Sequence, residues 1–252
     1  MNKKNDFSQK MHSYLRHPAS LIMMILVKLA ALITFTVLIF LIVYILVHGV
    51  PYLKPSLFSL HYNSENASLM PALINTVIMT LLSLLLAVPI GIFSAIFLAE
   101  YAGKGNKFVD IIRLTTETLS GIPSIVYGLF GMLFFVSTCH WGFSLLAGAF
   151  TLAIMILPLI MRTTEEALLS VPDSYREGSF GLGAGKLRTV FYIVLPSAVP
   201  GILAGVILAI GRIVGETAAL IYTAGSVAQV PSSVLGSGRT LAVHMYLLAS
   251  EG

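Results

Sequence analysis

Runs of about 20 apolar residues recur along this chain, and such runs leave few folds open. In hydrocarbon the backbone N–H and C=O groups of a run must be satisfied within the run itself, which makes each one a helix. The first covers Leu29 to Val47, directly after Lys28. The second is Ala72 to Leu98, interrupted at Pro89-Ile90-Gly91, and the third is Ile122 to Val136, rich in Gly and aromatics. The fourth is Leu145 to Met161, and the fifth runs from Ser197 to about Ile221. A last apolar stretch, Thr240 to Ala249, contains His244 and is too short to cross alone. Hydrophobic residues make up 57 % of the chain and charged residues 10 %, against about 25 % charged in soluble domains. The predicted fold class is therefore an all-α polytopic membrane protein with about five spans. The first run is too long for a signal-peptide core and reads as a retained anchor.

The net charge of +4 is no nucleic-acid footprint, because the basic residues sit in the gaps between apolar runs. Lys3, Lys4, Lys10, Arg16 and Lys28 precede the first run; Lys104, Lys107 and Arg113 follow the second; Arg162, Arg176, Lys186 and Arg188 follow the fourth. The opposite loops hold only Lys54 and Arg239. Positive charge accumulates on the cytoplasmic side, which predicts a cytoplasmic amino terminus. The single cysteine, Cys139, excludes an intramolecular disulfide and a cysteine metal cage, and no metal site is expected. Between the second and third runs, Phe108, Ile111, Ile112 and Leu119 fall largely on one side of a helix and Lys107, Asp110, Arg113 and Glu117 on the other. That spacing predicts a short amphipathic helix at the membrane surface or against a neighbour.

The longest polar segment, Arg162 to Leu195, carries the most specific pattern. Pro172-Asp173 is a good helix start, Gly181, Gly183 and Gly185 permit a sharp turn, and Pro196 allows the fifth span to begin at an angle to the helix before it. Gly185-Lys186 is not a phosphate loop, since Phe180 stands at the required first glycine and Leu187 replaces the hydroxyl residue. Without that cradle the chain is expected to bind no cofactor and hydrolyse no ATP. Two charge pairs complete the candidates. Arg212 and Glu216 lie four residues apart in the fifth run and share a helix face, while Arg162 and Glu165 are expected to pair at the end of the fourth. Charges inside a membrane face a watery path or tie helices together, and the charges alone admit either role. For Glu216 the structural role is favoured, because a carboxylate repels an anion.

Glu177-Gly178-Ser179, then Gly183, Ile193, Leu195 and Pro196, resembles the cytoplasmic signature of permease subunits of ATP-binding-cassette importers: E-A-A, three residues, G, nine residues, I, one residue, L-P. The two alanine positions hold Gly178 and Ser179, both small. The segments Pro123 to Gly131, Gly211 to Gly225 and Gly238 to Tyr246 resemble phosphate-importer permeases of the Pst system, in its PstA branch, with the match running from about Pro71 to Gly252. The resemblance implies a type I importer (MetI-like) transmembrane fold, with residues 1–28 as a cytoplasmic segment, 29–47 as the first helix and 71–252 as the permease core. It implies that Glu177, Gly178, Ser179, Gly183, Ile193, Leu195 and Pro196 form a coupling loop docking a PstB-like ATPase dimer, where ATP and magnesium would bind. It also implies a PstC-like permease partner, an external phosphate-binding protein and a place in the bacterial inner membrane. Arg162, Glu165 and Arg212 match the family's residues of phosphate passage. Pst permeases carry one more helix after the segment matching Arg239 to Gly252, so the last span is expected to be missing here. A permease for another oxyanion, or a non-transporting subunit, would share the coupling loop.

Overall fold

The computed structural model describes residues 18–63, 66–102 and 105–251; Lys3, Lys4, Lys10, Arg16 and Lys104 lie outside them. Among the described residues the regular structure is entirely helical. Four helices among these residues are long and apolar enough to cross a membrane, or five if one bent pair counts as a single span.

The chain divides into two compact units, Met1–Pro55 and Ser56–Gly252. The first unit holds α1, Pro18–Gly49. This helix begins well before the expected start at Leu29 and carries Lys28 within it. Its 32 residues reach about 48 Å at 1.5 Å per residue, longer than the roughly 30 Å hydrocarbon layer. Apolar side chains surround it with no polar stripe, the composition of a helix solvated by lipid.

The second unit is built around one helix. After α2 (Met70–Ile96, prolonged by a wide turn over Phe97–Tyr101) come α3 (Lys107–Ser120) and α4 (Ser124–Gly131, prolonged over Met132–Thr138). Then follow α5 (Leu145–Leu169), α6 (Asp173–Gly181) and α7 (Lys186–Thr189), which runs through Val190–Val194 into α8 (Leu195–Val214). Two short helices, α9 (Ala218–Ile221) and α10 (Leu241–Glu251), complete the unit. The apolar stretch of α5 is 61 % buried, against 33 % for α2 and 28 % for α7–α8, so α5 is the central post. Small residues let its neighbours approach: a Cβ on Gly148 would overlap Met79 of α2 and Ala224, and one on Gly205 of α8 would overlap Thr163. Lipid tails compete with any apolar helix contact, so close backbone approach at small residues is what binds helices in a membrane.

Two expectations about the spans need correction. Pro89 does not interrupt the second run, because α2 continues through it, as prolines do where neighbouring helices and local adjustment absorb one missing N–H. Pro158 and Pro200 are likewise internal. The third run is preceded by the expected amphipathic helix, α3, capped by the Asn106 side chain accepting from Phe108 N at 3.0 Å; the two meet at a bend of 100°. The fifth run ends at Val214 rather than near Ile221, and the chain turns through Gly215–Thr217 into α9.

Beyond α9 the backbone serves as a cap. Carbonyls of Thr223, Gly236 and Val234 accept from Ser144, Leu145 and Leu146 N–H at 3.0, 3.0 and 2.8 Å. The Ser144 hydroxyl takes the N–H of Ala147 at 3.2 Å. These bonds satisfy the first amides of α5, which have no partner within their own helix.

A Cβ at Gly128 would stand 2.7 Å from the Ala219 Cα, a backbone atom that cannot swing aside. Gly128→Val should cost about 1–3 kcal/mol and visibly lower the thermal unfolding midpoint in detergent. Gly178→Ala, whose Cβ meets nothing within 4 Å, should leave the midpoint unchanged or slightly raised.

Candidate functional site

The polar segment after α5 forms a helix because Pro172 precedes its first turn, Asp173 sits there, and the Arg176 side chain folds back beneath it. Arg176 Nη2 donates to Glu100 Oε1 at 2.6 Å and to the Leu168 carbonyl at 2.9 Å; Nη1 donates to the Val171 carbonyl at 2.8 Å and to Asp173 Oδ1 at 3.2 Å. The Glu100 and Arg176 side chains are 8 % and 14 % exposed. One guanidinium thereby joins the end of α2, the last carbonyls of α5 and the first turn of α6. The carboxylate of Glu100 raises the Arg176 pKa above its ordinary value, so the charge is permanent.

The far end of α6 is fixed by the buried Ser179 hydroxyl, 2.8 Å from Thr189 Oγ1 on α7. Gly183 has φ +81°, a left-handed conformation that favours glycine, and it reverses the chain between the two helices. Glu177 and Gly178 face outward, as do Tyr175, Phe180 and Leu187, and Leu182 at the tip is 92 % exposed. Ile193 and Leu195 are half-buried and Pro196 exposed. The expected angle at Pro196 is absent: Lys186–Val214 is one helix, with Pro196 in the first turn of α8 just after the wide turn of Val190–Val194. Wide turns of this kind accommodate a missing donor without breaking the helix.

The charges rearrange relative to expectation. Arg162 pairs with Glu166, Nε to Oε1 at 3.0 Å, and Glu165 pairs with Arg113 of α3 at 2.6 Å. The expected Arg162–Glu165 bond is not formed, because the residue four positions along a helix takes Arg162 while Glu165 turns toward α3. Together with Glu117, these side chains line a cavity of about 280 Å³ between α3 and α5. Arg113 and Arg162 are 46 % and 55 % exposed, and pairs this exposed contribute little to stability. They can exchange partners at small cost.

Arg212 and Glu216 do not pair either. Arg212 sits half-buried in the last turn of α8, where a cation suits the helix end. The helix stops at Val214, and Glu216, 8 % exposed, accepts the Ala219 N–H at 3.0 Å to cap α9. The sequence reading missed Glu100, Arg113 and Glu166. Glu166 stood at the better helical spacing from Arg162; Glu100 and Arg113 gave no local signal, because their partners are 76 and 52 positions away.

The family described as "binding-protein-dependent transport system inner membrane component" matches residues 87–249. The chain is similar to a probable ABC transporter permease protein, YqgI, of Bacillus subtilis (strain 168), with 36 % identity over 239 residues, 89 % of this chain and 81 % of that one. It is also similar to the phosphate transport system permease protein PstA of Haemophilus influenzae, at 39 % identity over 70 % of this chain and 62 % of the relative. To PstA 2 of Mycobacterium bovis it is 40 % identical over 64 % of this chain and 53 % of that one. The chain thus spans between half and two thirds of the length of these two phosphate-system relatives.

Glu100→Ala would leave the Arg176 charge buried without its carboxylate, a loss of about 3–5 kcal/mol for such pairs. Trypsin cleavage after Lys186 and Arg188 should become markedly faster, while cleavage after Lys28, in the other unit, should keep its rate.

Proposed function

Since this chain belongs to the family of binding-protein-dependent transport system inner membrane components, we propose that it is one of two paralogous permease subunits of an ATP-driven phosphate importer. Its similarity to PstA proteins supports the cargo. The observation that carries the coupling role is the Arg176 anchor beneath an exposed apolar tip. Tyr175, Phe180, Leu182 and Leu187 offer a partner a surface that water solvates poorly. Glu177, Gly178 and Ser179 lie on that helix, Gly183 turns the chain, and Ile193, Leu195 and Pro196 lead into α8.

An ATPase dimer closing on ATP would pull α6 inward. Because Arg176 holds both α2 and α5, the pull reaches the central post and its largest neighbour together, and α8 follows through the Ser179–Thr189 bond. The helices then rock, opening the path to the side where an external phosphate-binding protein releases its ligand. ATP and magnesium belong to the partner ATPase; this chain supplies no phosphate cradle. The amino terminus and the α6 loop share the cytoplasmic side, as the basic residues favour.

Arg162 and Arg113 suit the exit of an anion, since a phosphate entering the cavity can replace Glu166 or Glu165 as their partner. Planar guanidinium groups hold such oxyanions with paired hydrogen bonds. Arg212 is the cation of the path within α8. Glu165 restores neutrality after the ion leaves by reclaiming Arg113, and Glu216 shapes the path by capping α9.

Vesicles holding this chain, its paralogous permease, the ATPase and the external binding protein give the test. Arg212→Gln should reduce radiolabelled phosphate uptake to background with the ATPase still co-purifying; uptake at the parental rate would remove Arg212 from the path. Saturable sulfate uptake without phosphate uptake would refute the cargo. Leu182→Asp should weaken ATPase association about tenfold or more, the loss of a central contact worth over 1 kcal/mol, without altering the thermal midpoint of the permease pair.

A further inference from the structure

A second arginine is as buried as Arg176 and has the opposite surroundings. Arg239 is 5 % exposed, and it lies at the end of the bundle remote from the coupling loop. Asn75, which touches it, and Glu100, which touches the loop, are both on α2 or its extension, about 38 Å apart at 1.5 Å per residue.

The backbone explains why the side chain points inward. Asn75 Nδ2 donates to the carbonyls of Gln229 and Arg239 at 2.9 and 3.1 Å, and Thr76 Oγ1 accepts the Leu241 N–H at 2.8 Å. Arg239 N–H bonds the Val227 carbonyl at 2.9 Å. With the strand of chain pinned on both sides, the Arg239 guanidinium lies over the Tyr62 ring at 4.6 Å. The ring of His244, 1 % exposed, meets the same tyrosine edge-on at 5.7 Å.

Neither side chain is satisfied by protein. Arg239 Nε and Nη2, both ring nitrogens of His244 and the Thr240 hydroxyl are buried with no hydrogen-bond partner. Among the described residues no carboxylate pairs with Arg239, whereas Arg176 has Glu100, Asp173 and two carbonyls. A buried guanidinium with idle donors is costly unless an anion completes it. The Tyr62 face compensates only part of that, since cation–π attraction is weaker than pairing with a carboxylate.

We propose that Arg239 and His244, floored by Tyr62, form a binding site for a small tetrahedral oxyanion of the phosphate class at the end of the bundle opposite the coupling loop. Burial and the nearby Arg239 charge lower the His244 pKa, against a weaker opposing pull from the Ala67 backbone, so the ring is neutral near pH 7 and offers one N–H and one lone pair. A hydrogen phosphate ion matches both, having acceptor oxygens and an O–H; sulfate lacks the O–H and would leave the lone pair unmet. Exposures of 5 % and 1 % suit a small free ion better than the bulkier glycerol ester of a lipid phosphate, so the occupant is the free ion. The inference goes beyond the importer reading and holds even for a chain that binds without transporting.

The test uses the full chain co-purified with its partner permease and ATPase, without the external binding protein, in phosphatidylcholine nanodiscs. An Arg212→Gln background silences the proposed path, and radiolabelled inorganic phosphate is the probe. Saturable binding is expected, weakened about tenfold or more by Arg239→Gln, as for a lost hydrogen-bonded charge, and less by Arg239→Lys. Sulfate should compete more weakly than phosphate. Phosphate should raise the thermal midpoint of the Arg239 form but not that of Arg239→Gln. Arg239→Gln alone should fold at least as well as the parent, because it removes a buried charge; if it does not fold, the Arg239→Lys arm decides. Binding unchanged in both variants, no saturable binding, or bound phosphorus that extracts with lipid would each overturn the site. Failure of the importer reading appears separately, as absence of phosphate uptake by vesicles holding the unsubstituted chain with all its partners.

Discussion

The bond between Glu100 and Arg176, 2.6 Å long and largely out of water, is where the mechanical organisation of the protein converges. Without it α6 would be a nine-residue helix joined to the bundle by its ends alone. With it, a displacement at the exposed tip cannot occur without moving the termini of α2 and α5. The carbonyls of Leu168 and Val171 strengthen the joint, since a cation at the carboxyl end of α5 meets the negative end of that helix. Everything proposed about coupling needs a stiff joint there, and four acceptors around one planar group supply it.

Three arginines in the helical core and at its rim show how surroundings, rather than residue type, set a charge's role. Arg176 is saturated and buried, which suits a fixed strut. Arg162 is exposed and paired to a neighbour on its own helix, so its partner is replaceable. Arg239 is buried and unsaturated, which makes it a receptor for something the chain does not contain. The three conditions differ in the number of acceptors and in access to water, and both can be read from geometry.

Much of this was legible in the sequence, for reasons that are physical. A lipid environment forbids unsatisfied backbone, so apolar runs of sufficient length had to be helices, and the cluster of Gly181, Gly183 and Gly185 marked the turn that Gly183 makes. The run boundaries were less legible. Pro89 looked like a break because a proline in water usually is one, whereas packing against α5 carries α2 through it. The end of α8 at Val214 was hidden in a continuous apolar stretch, where only Gly215 and the capping carboxylate of Glu216 mark the stop. Charge partners were the least legible. Glu165 and Glu166 are adjacent, and the choice between them depends on Arg113, a residue brought near by the bend after α3. That Glu100 meets Arg176 and that Arg239 points inward are both facts of tertiary folding with no local trace.

The cap on α5 has a consequence for how the protein is made. The amides of Ser144, Leu145 and Leu146 are closed by carbonyls of Thr223, Gly236 and Val234, which the ribosome delivers much later. The central post can therefore insert as a helix early, but its first turn stays open until translation has passed Gly236. Assembly of the bundle thus waits on a loop that emerges about 80 residues after the helix start it closes, and a nascent chain arrested before that point would carry a frayed centre that membrane quality control can recognise.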